Sequence, residues 1–126
     1  MKLIACIALG GALGAVGRYL VVAGAAACLG AGFPYGTITV NVLGSFAMGA
    51  LVEFSVQTWS PSPELKAFLI VGLLGAFTTF SAFSADVVAL YGRGALLAAG
   101  AYVVVSVVLS IAGLFAGVGA VRWGMA

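Results

Sequence analysis

Gly72-Leu73-Leu74-Gly75-Ala76-Phe77-Thr78-Thr79-Phe80-Ser81 (GLLGAFTTFS) sits in the middle of a largely apolar run from Leu65 to Tyr91. As a continuous helix that run would reach about 40 Å, longer than the hydrocarbon core of a bilayer at about 30 Å. Glycine and β-branched threonine lower helix propensity at its centre, and Ser/Thr hydroxyls can re-satisfy backbone groups that a break sets free. We read a membrane-spanning helix broken near the bilayer midplane. Such a break is tolerated only where protein or a watery cavity covers it, and its freed carbonyls can coordinate a cation. Composition alone equally allows an unbroken helix whose hydroxyls bond back to the preceding turn.

Outward from that segment the chain has the same character. Of its 126 residues 64% are hydrophobic and 6% charged, against about 25% charged in a soluble domain, so it cannot clothe a globular surface in water. A net charge of +2 is too small for a nucleic-acid footprint. With spans of about 20 apolar residues as the unit, four emerge: Leu3–Ala27, Gly36–Val56, Leu65–Tyr91 and Ala95–Trp123. Pro34 with its glycines, Pro61 with Pro63, and Gly92-Arg93-Gly94 separate them, each a stretch where helical continuity fails. Lys2 before an apolar run, with Ala23 to Ala27 behind it, mimics a secretory signal. The membrane-like character of everything that follows favours a first span instead. The expected fold is therefore all-α, with four transmembrane helices in a single domain.

No histidine is present, and Cys6 and Cys28 are too far apart along one helix to pair; both read as small apolar residues. Without a nucleophile–base pair, metal-ligand cluster or phosphate loop, an enzyme is not expected. Polar residues instead form stripes. Thr37, Asn41 and Ser45 recur at i, i+4, i+8, as do Tyr102, Ser106 and Ser110, each set on one helical face. In lipid such groups face a partner or a cavity; interhelical hydrogen bonding is the plainer account, though the Asn41 amide wants several partners. A line of neutral donors also suits a small, strongly hydrated anion, which must shed water without meeting a trapping positive charge. Phe77, Phe80 and Phe83 recur every three residues. They are either core packing or rings whose positive edges face an anion. Arg18 and Asp86 are the charges nearest the membrane interior; they either pair, or Arg18 draws anions into a vestibule. The steps Gly10/Gly14, Ser45/Gly49 and Gly113/Gly117 are small-xxx-small motifs, favoured as packing within the four-helix unit. Four helices leave little room for an internal pore, so a dimer is the expected working unit. Lys2, Lys66 and Arg122 lie at one end, with Arg93 at the other and Arg18 toward it. This weak bias would let the chain insert both ways.

GGALGAVGRY at Gly10–Tyr19, GTITVNVLGSF at Gly36–Phe46, GLLGAFTTFSAFSAD at Gly72–Asp86, and Tyr102 with its serines together resemble the Fluc (CrcB) family of small fluoride channels. The likeness covers nearly the whole chain. It implies passive fluoride export across the cell (inner) membrane of a microbe, by a dual-topology, antiparallel homodimer with two pores. On that resemblance Asn41 is the pore amide, and Phe80 and Phe83 are the pore phenylalanines. Thr79, Tyr102, Ser106 and Ser110 belong to the pore set, Ser81 is a vestibule hydroxyl, and Arg18 and Asp86 stand at the vestibule. The backbone carbonyls of Gly75 and Thr78 are implied to hold a central structural sodium ion (Na+).

Two positions depart from the family pattern: Ala82, usually Thr, and Asp86, usually Glu. Loss of a hydroxyl and shortening of an acid are expected to alter fluoride capture while conduction persists. Two other readings are a proton-coupled exporter of organic cations and a non-conducting subunit of a heterodimer. The exporter needs a membrane-embedded acid, for which Asp86, off the polar stripes, is the one candidate. The intact set of Asn41, Phe80 and Phe83 opposes the non-conducting subunit.

Overall fold

The computed structural model describes residues 1–125. Four helical segments in it are long and apolar enough to cross a membrane: Lys2–Leu29, Tyr35–Gln57, Pro63–Gly92 and Leu96–Gly124. Among the described residues there is no strand. The first three overrun the expected spans by one or two residues at each end, where polar connectors still allow helical hydrogen bonding; the fourth starts one residue later than expected, at Leu96, and ends one later, at Gly124.

The connectors follow local rules. The first helix stops at Gly30 and the third span stops short of Gly94, with φ of +85° and +75°, a left-handed backbone that only glycine adopts freely. At the start of the third span the Ser62 hydroxyl accepts from the Leu65 N–H at 3.2 Å, and Pro63 fills the first helical position, where a missing N–H costs nothing.

Packing pairs the helices through small residues. The second helix lies along the fourth, and the first lies along the N-terminal half of the third span. A Cβ on Gly10 or Gly14 would run into the carbonyls of Phe68 and Leu73, and one on Gly49 or Gly117 into those of Leu114 and Phe46. The small-residue steps are thus consumed within the four-helix unit, where they let backbones approach closely. The third span changes partners along its length: its N-terminal half lies on the first helix, and its C-terminal half, Phe80–Gly92, on the fourth. Phe83, Leu90, Ala99 and Tyr102 form the apolar core of that second contact.

Within the third span, Pro63–Lys66 is α-helical, Ala67–Leu74 is π-helical, and Gly75–Phe77 completes one more α turn. The chain then leaves the helix at Thr78 and Thr79 before restarting at Phe80. The break thus falls centrally in the span, inside the GLLGAFTTFS segment. The π-helical stretch is an addition that the sequence did not announce.

Candidate functional site

The break is built by two threonines. The Thr78 N–H and Thr78 hydroxyl both donate to the Leu74 carbonyl at 3.0 Å. The back-bonding expected of an unbroken helix therefore does occur, and the helix ends there all the same. Thr78 (φ −80°, ψ 157°) and Thr79 (φ −155°, ψ 121°) are both extended, the conformation β-branched residues favour. The Thr79 hydroxyl then caps the restarted helix by accepting from the Ala82 N–H at 3.1 Å. Asn41, on the second helix, grips the gap from the side. Its Oδ1 accepts from the Thr79 N–H at 2.7 Å and its Nδ2 donates to the Thr79 carbonyl at 3.0 Å.

These bonds have a consequence for the carbonyls. In an unbroken helix the Thr79 N–H would bond the Gly75 carbonyl, and the Ala82 N–H would bond the Thr78 carbonyl. Both donors are engaged elsewhere, by Asn41 and by the Thr79 hydroxyl. Gly75 and Thr78 are therefore left with carbonyl oxygens free of helical bonds, neutral hard donors of the kind an unwound membrane helix offers a monovalent cation. The donor set fits the sodium ion expected there.

Beside the break is a cavity of about 320 Å³. Its polar lining comes from Asn41, Ser45, Thr78, Thr79, Ser106 and Ser110, and its aromatic lining from Phe80 and Phe83. Among the described residues no charged side chain lines it. The Phe80 and Phe83 rings are tilted at 42° with centroids 5.3 Å apart. Phe80 is 77% exposed, so one wall of the cavity is unfinished in a single chain. The Ser106 hydroxyl is buried and, among the described residues, has no hydrogen-bond partner, an uncommon state for a buried polar group. Ser45 was legible as a member of the Asn41 stripe.

Four expected residues lie elsewhere. Tyr102 is fully buried, stacked against Phe83 at 5.3 Å and edge-on to Phe33 at 5.6 Å. Its hydroxyl donates to Asp86 Oδ2 at 2.9 Å, and the Thr37 hydroxyl donates to the same oxygen at 2.7 Å. Asp86, expected off the polar stripes, is thus tied to the outermost residue of each. Helical periodicity cannot reveal this, because it depends on how three helices are rotated against one another. Ser81 is exposed, with its hydroxyl 3.3 Å from that of Thr79, and is outside the cavity lining. Arg18 is half-buried and does not pair with Asp86; among the described residues the single ion pair joins Arg122 to Glu53 at 2.8 Å. A second cavity, of about 460 Å³, instead brings Thr37 and Asp86 to Arg93, whose guanidinium donates to the Gly32 carbonyl at 3.3 Å. In the sequence Arg93 marked only a turn and the charge at that end of the bundle.

The protein-family model described as CrcB-like protein, Camphor Resistance (CrcB), matches residues 5–118. A protein of Rhodospirillum centenum named "Fluoride-specific ion channel FluC" is 55% identical over 126 residues, the full length of both chains. Proteins of the same name from a Chelativorans species and from Agrobacterium fabrum are 55% and 49% identical, over 88% and 90% of this chain and 89% and 91% of their own. By both measures the chain belongs to the CrcB-like family.

Proposed function

We propose that this chain is a fluoride-selective channel of the cell's inner membrane. It works as an antiparallel homodimer with two pores and a structural sodium ion at the dimer centre. The observation that carries the reading is the uncharged, hydroxyl-lined cavity at the helix break, in a chain so similar to proteins named as fluoride channels. Fluoride is small and strongly hydrated, and a row of neutral donors can replace its water while binding weakly enough to release it. Ser110 and the unpartnered Ser106 hydroxyl supply donors along the cavity, with Asn41 and Thr79 at the break. Phe80 and Phe83 offer ring edges of positive potential and keep the passage narrow.

Around that passage the remaining residues have supporting parts. Arg18 provides positive field toward the mouth, and Ser81 a hydroxyl at the vestibule. Asp86 fixes the Thr37 and Tyr102 hydroxyls. The free carbonyls of Gly75 and Thr78, doubled by those of a second copy, make a set of four neutral oxygens for sodium. The bound ion would hold two breaks together across the dimer axis, and the second copy would cover the exposed face of Phe80.

The deciding measurement is fluoride efflux from liposomes carrying the purified protein, followed with a fluoride-selective electrode. Rapid efflux without a proton gradient, absent for chloride and abolished by Phe80→Ile, is the expected result. Efflux that occurs only in exchange for protons would replace the channel with a transporter.

A further inference from the structure

Asn41 sits in the cavity wall, where an amide would ordinarily be taken as a ligand for the permeant ion. Its hydrogen bonds point to a different task. Oδ1 is occupied by the Thr79 N–H at 2.7 Å, and Nδ2 spends a proton on the Thr79 carbonyl at 3.0 Å. The side chain pairs with the backbone of Thr79 as a neighbouring β-strand would, and Thr79 has the φ and ψ of a strand residue (−155°, 121°). One Nδ2 proton remains for the cavity.

Thr79 N–H is also the donor that an unbroken helix would give to the Gly75 carbonyl. While Asn41 holds it, that carbonyl has no helical partner. We propose that Asn41 is a positioning residue that keeps the break open by diverting the Thr79 N–H, and so keeps the Gly75 carbonyl available to a cation. One side chain then serves two functions, because the clamp that frees the carbonyl also shapes the cavity beside it. The inference rests on the sodium reading above and assigns a cause to it. Thr79 has the matching role on the other side of the gap: its hydroxyl holds the Ala82 N–H at 3.1 Å, which leaves the Thr78 carbonyl free.

Fluoride flux alone does not separate this role from direct ion contact, since losing either would reduce it. The separating readout is the sodium-specific rise in melting temperature of the purified dimer, measured against N-methylglucamine at equal ionic strength. The rise reports cation binding to the folded state. Asn41→Leu keeps the bulk but removes the acceptor, so the Thr79 N–H returns to Gly75; the sodium shift is expected to vanish. Asn41→Asp keeps an acceptor for the Thr79 N–H; its sodium shift is expected to survive, although fluoride flux falls.

The failures are distinguishable. A wild type with no sodium shift overturns both the sodium reading and this inference. A shift that persists in Asn41→Leu overturns the role of Asn41 and leaves sodium standing. Loss in Asn41→Asp as well overturns the diversion of the N–H as the cause. If Asn41→Leu does not fold, amide hydrogen exchange on the wild-type dimer decides. Thr79 should exchange slowly beside Phe80 and Ser81, which open the restarted helix and have no helical acceptor. A Thr79 amide that exchanges as fast as those two overturns the clamp.

Discussion

Ser106 lines the cavity, and its buried hydroxyl has no hydrogen-bond partner among the described residues; folding gains nothing from such a group. A buried polar atom left unsatisfied costs about 1–3 kcal/mol, so Ser106→Ala is expected to leave the unfolding free energy unchanged or raise it. The same substitution should lower fluoride efflux, because it deletes a donor from the passage. Thermal unfolding and electrode-recorded efflux on one preparation test both halves; a variant both less stable and fully active would refute the assignment. Ala82 offers a complementary test. It lies half-buried in the first turn of the restarted helix, next to the exposed Ser81, and its methyl stands where the resemblance leads us to expect a hydroxyl. Ala82→Thr is expected to lower the fluoride concentration that half-saturates the current. Equal conductance and affinity in both proteins would show that this departure is silent.

At the scale of elements, the break depends on the second helix leaving space for it. A Cβ on Gly44 would collide with the Thr78 Cγ2 methyl and approach the Phe77 ring at 3.2 Å. Gly44→Ala therefore forces Thr78 to shift and is expected to destabilise by about 1–3 kcal/mol, as overpacking does, with loss of flux. Gly119→Ala on the fourth helix meets nothing within 4 Å among the described residues and should stabilise by up to about 1 kcal/mol through helix propensity. Unfolding midpoints of the two variants, measured side by side, check the contrast. The pair also marks what was legible in the sequence. The spans and the connectors could be read from composition and spacing, because hydropathy and proline act locally; the break was one of two readings that the adjacent threonines allowed equally. The π-helical turn at Ala67–Leu74 could not be read, since AFLIVGLL has the composition of any apolar helix. Nor could the Asn41–Thr79 clamp or the binding of Asp86 by Thr37 and Tyr102: each joins residues far apart in the chain, and periodicity gives the face of one helix, not its rotation against another. Arg18 and Asp86 left two possibilities open in the sequence, and the packing removes their pairing.

For the molecule as a whole, the exposed face of Phe80 and the balance of charge bear on the same question. Arg122 is 65% exposed yet paired with Glu53, at the end that also carries Lys2 and Lys66; Arg93 marks the opposite end. Orientation follows Lys and Arg near the ends of the spans, and Asp and Glu count for little, so the bias remains three against one or two. A few added charges should therefore tip it. Gln57→Lys with Glu64→Lys adds two cations at the end bearing the termini and should drive that end to the cytoplasm. Gly92→Lys with Ala95→Lys should drive the opposite end there. If the working unit is an antiparallel dimer, neither variant alone can assemble it, and each should lose fluoride efflux from cells. Co-expression supplies one copy in each orientation and should restore it. Reporter fusions at the C-terminus establish that each variant adopts a single orientation. Full efflux from either variant expressed alone would mean that parallel copies conduct, and the antiparallel dimer would have to be given up.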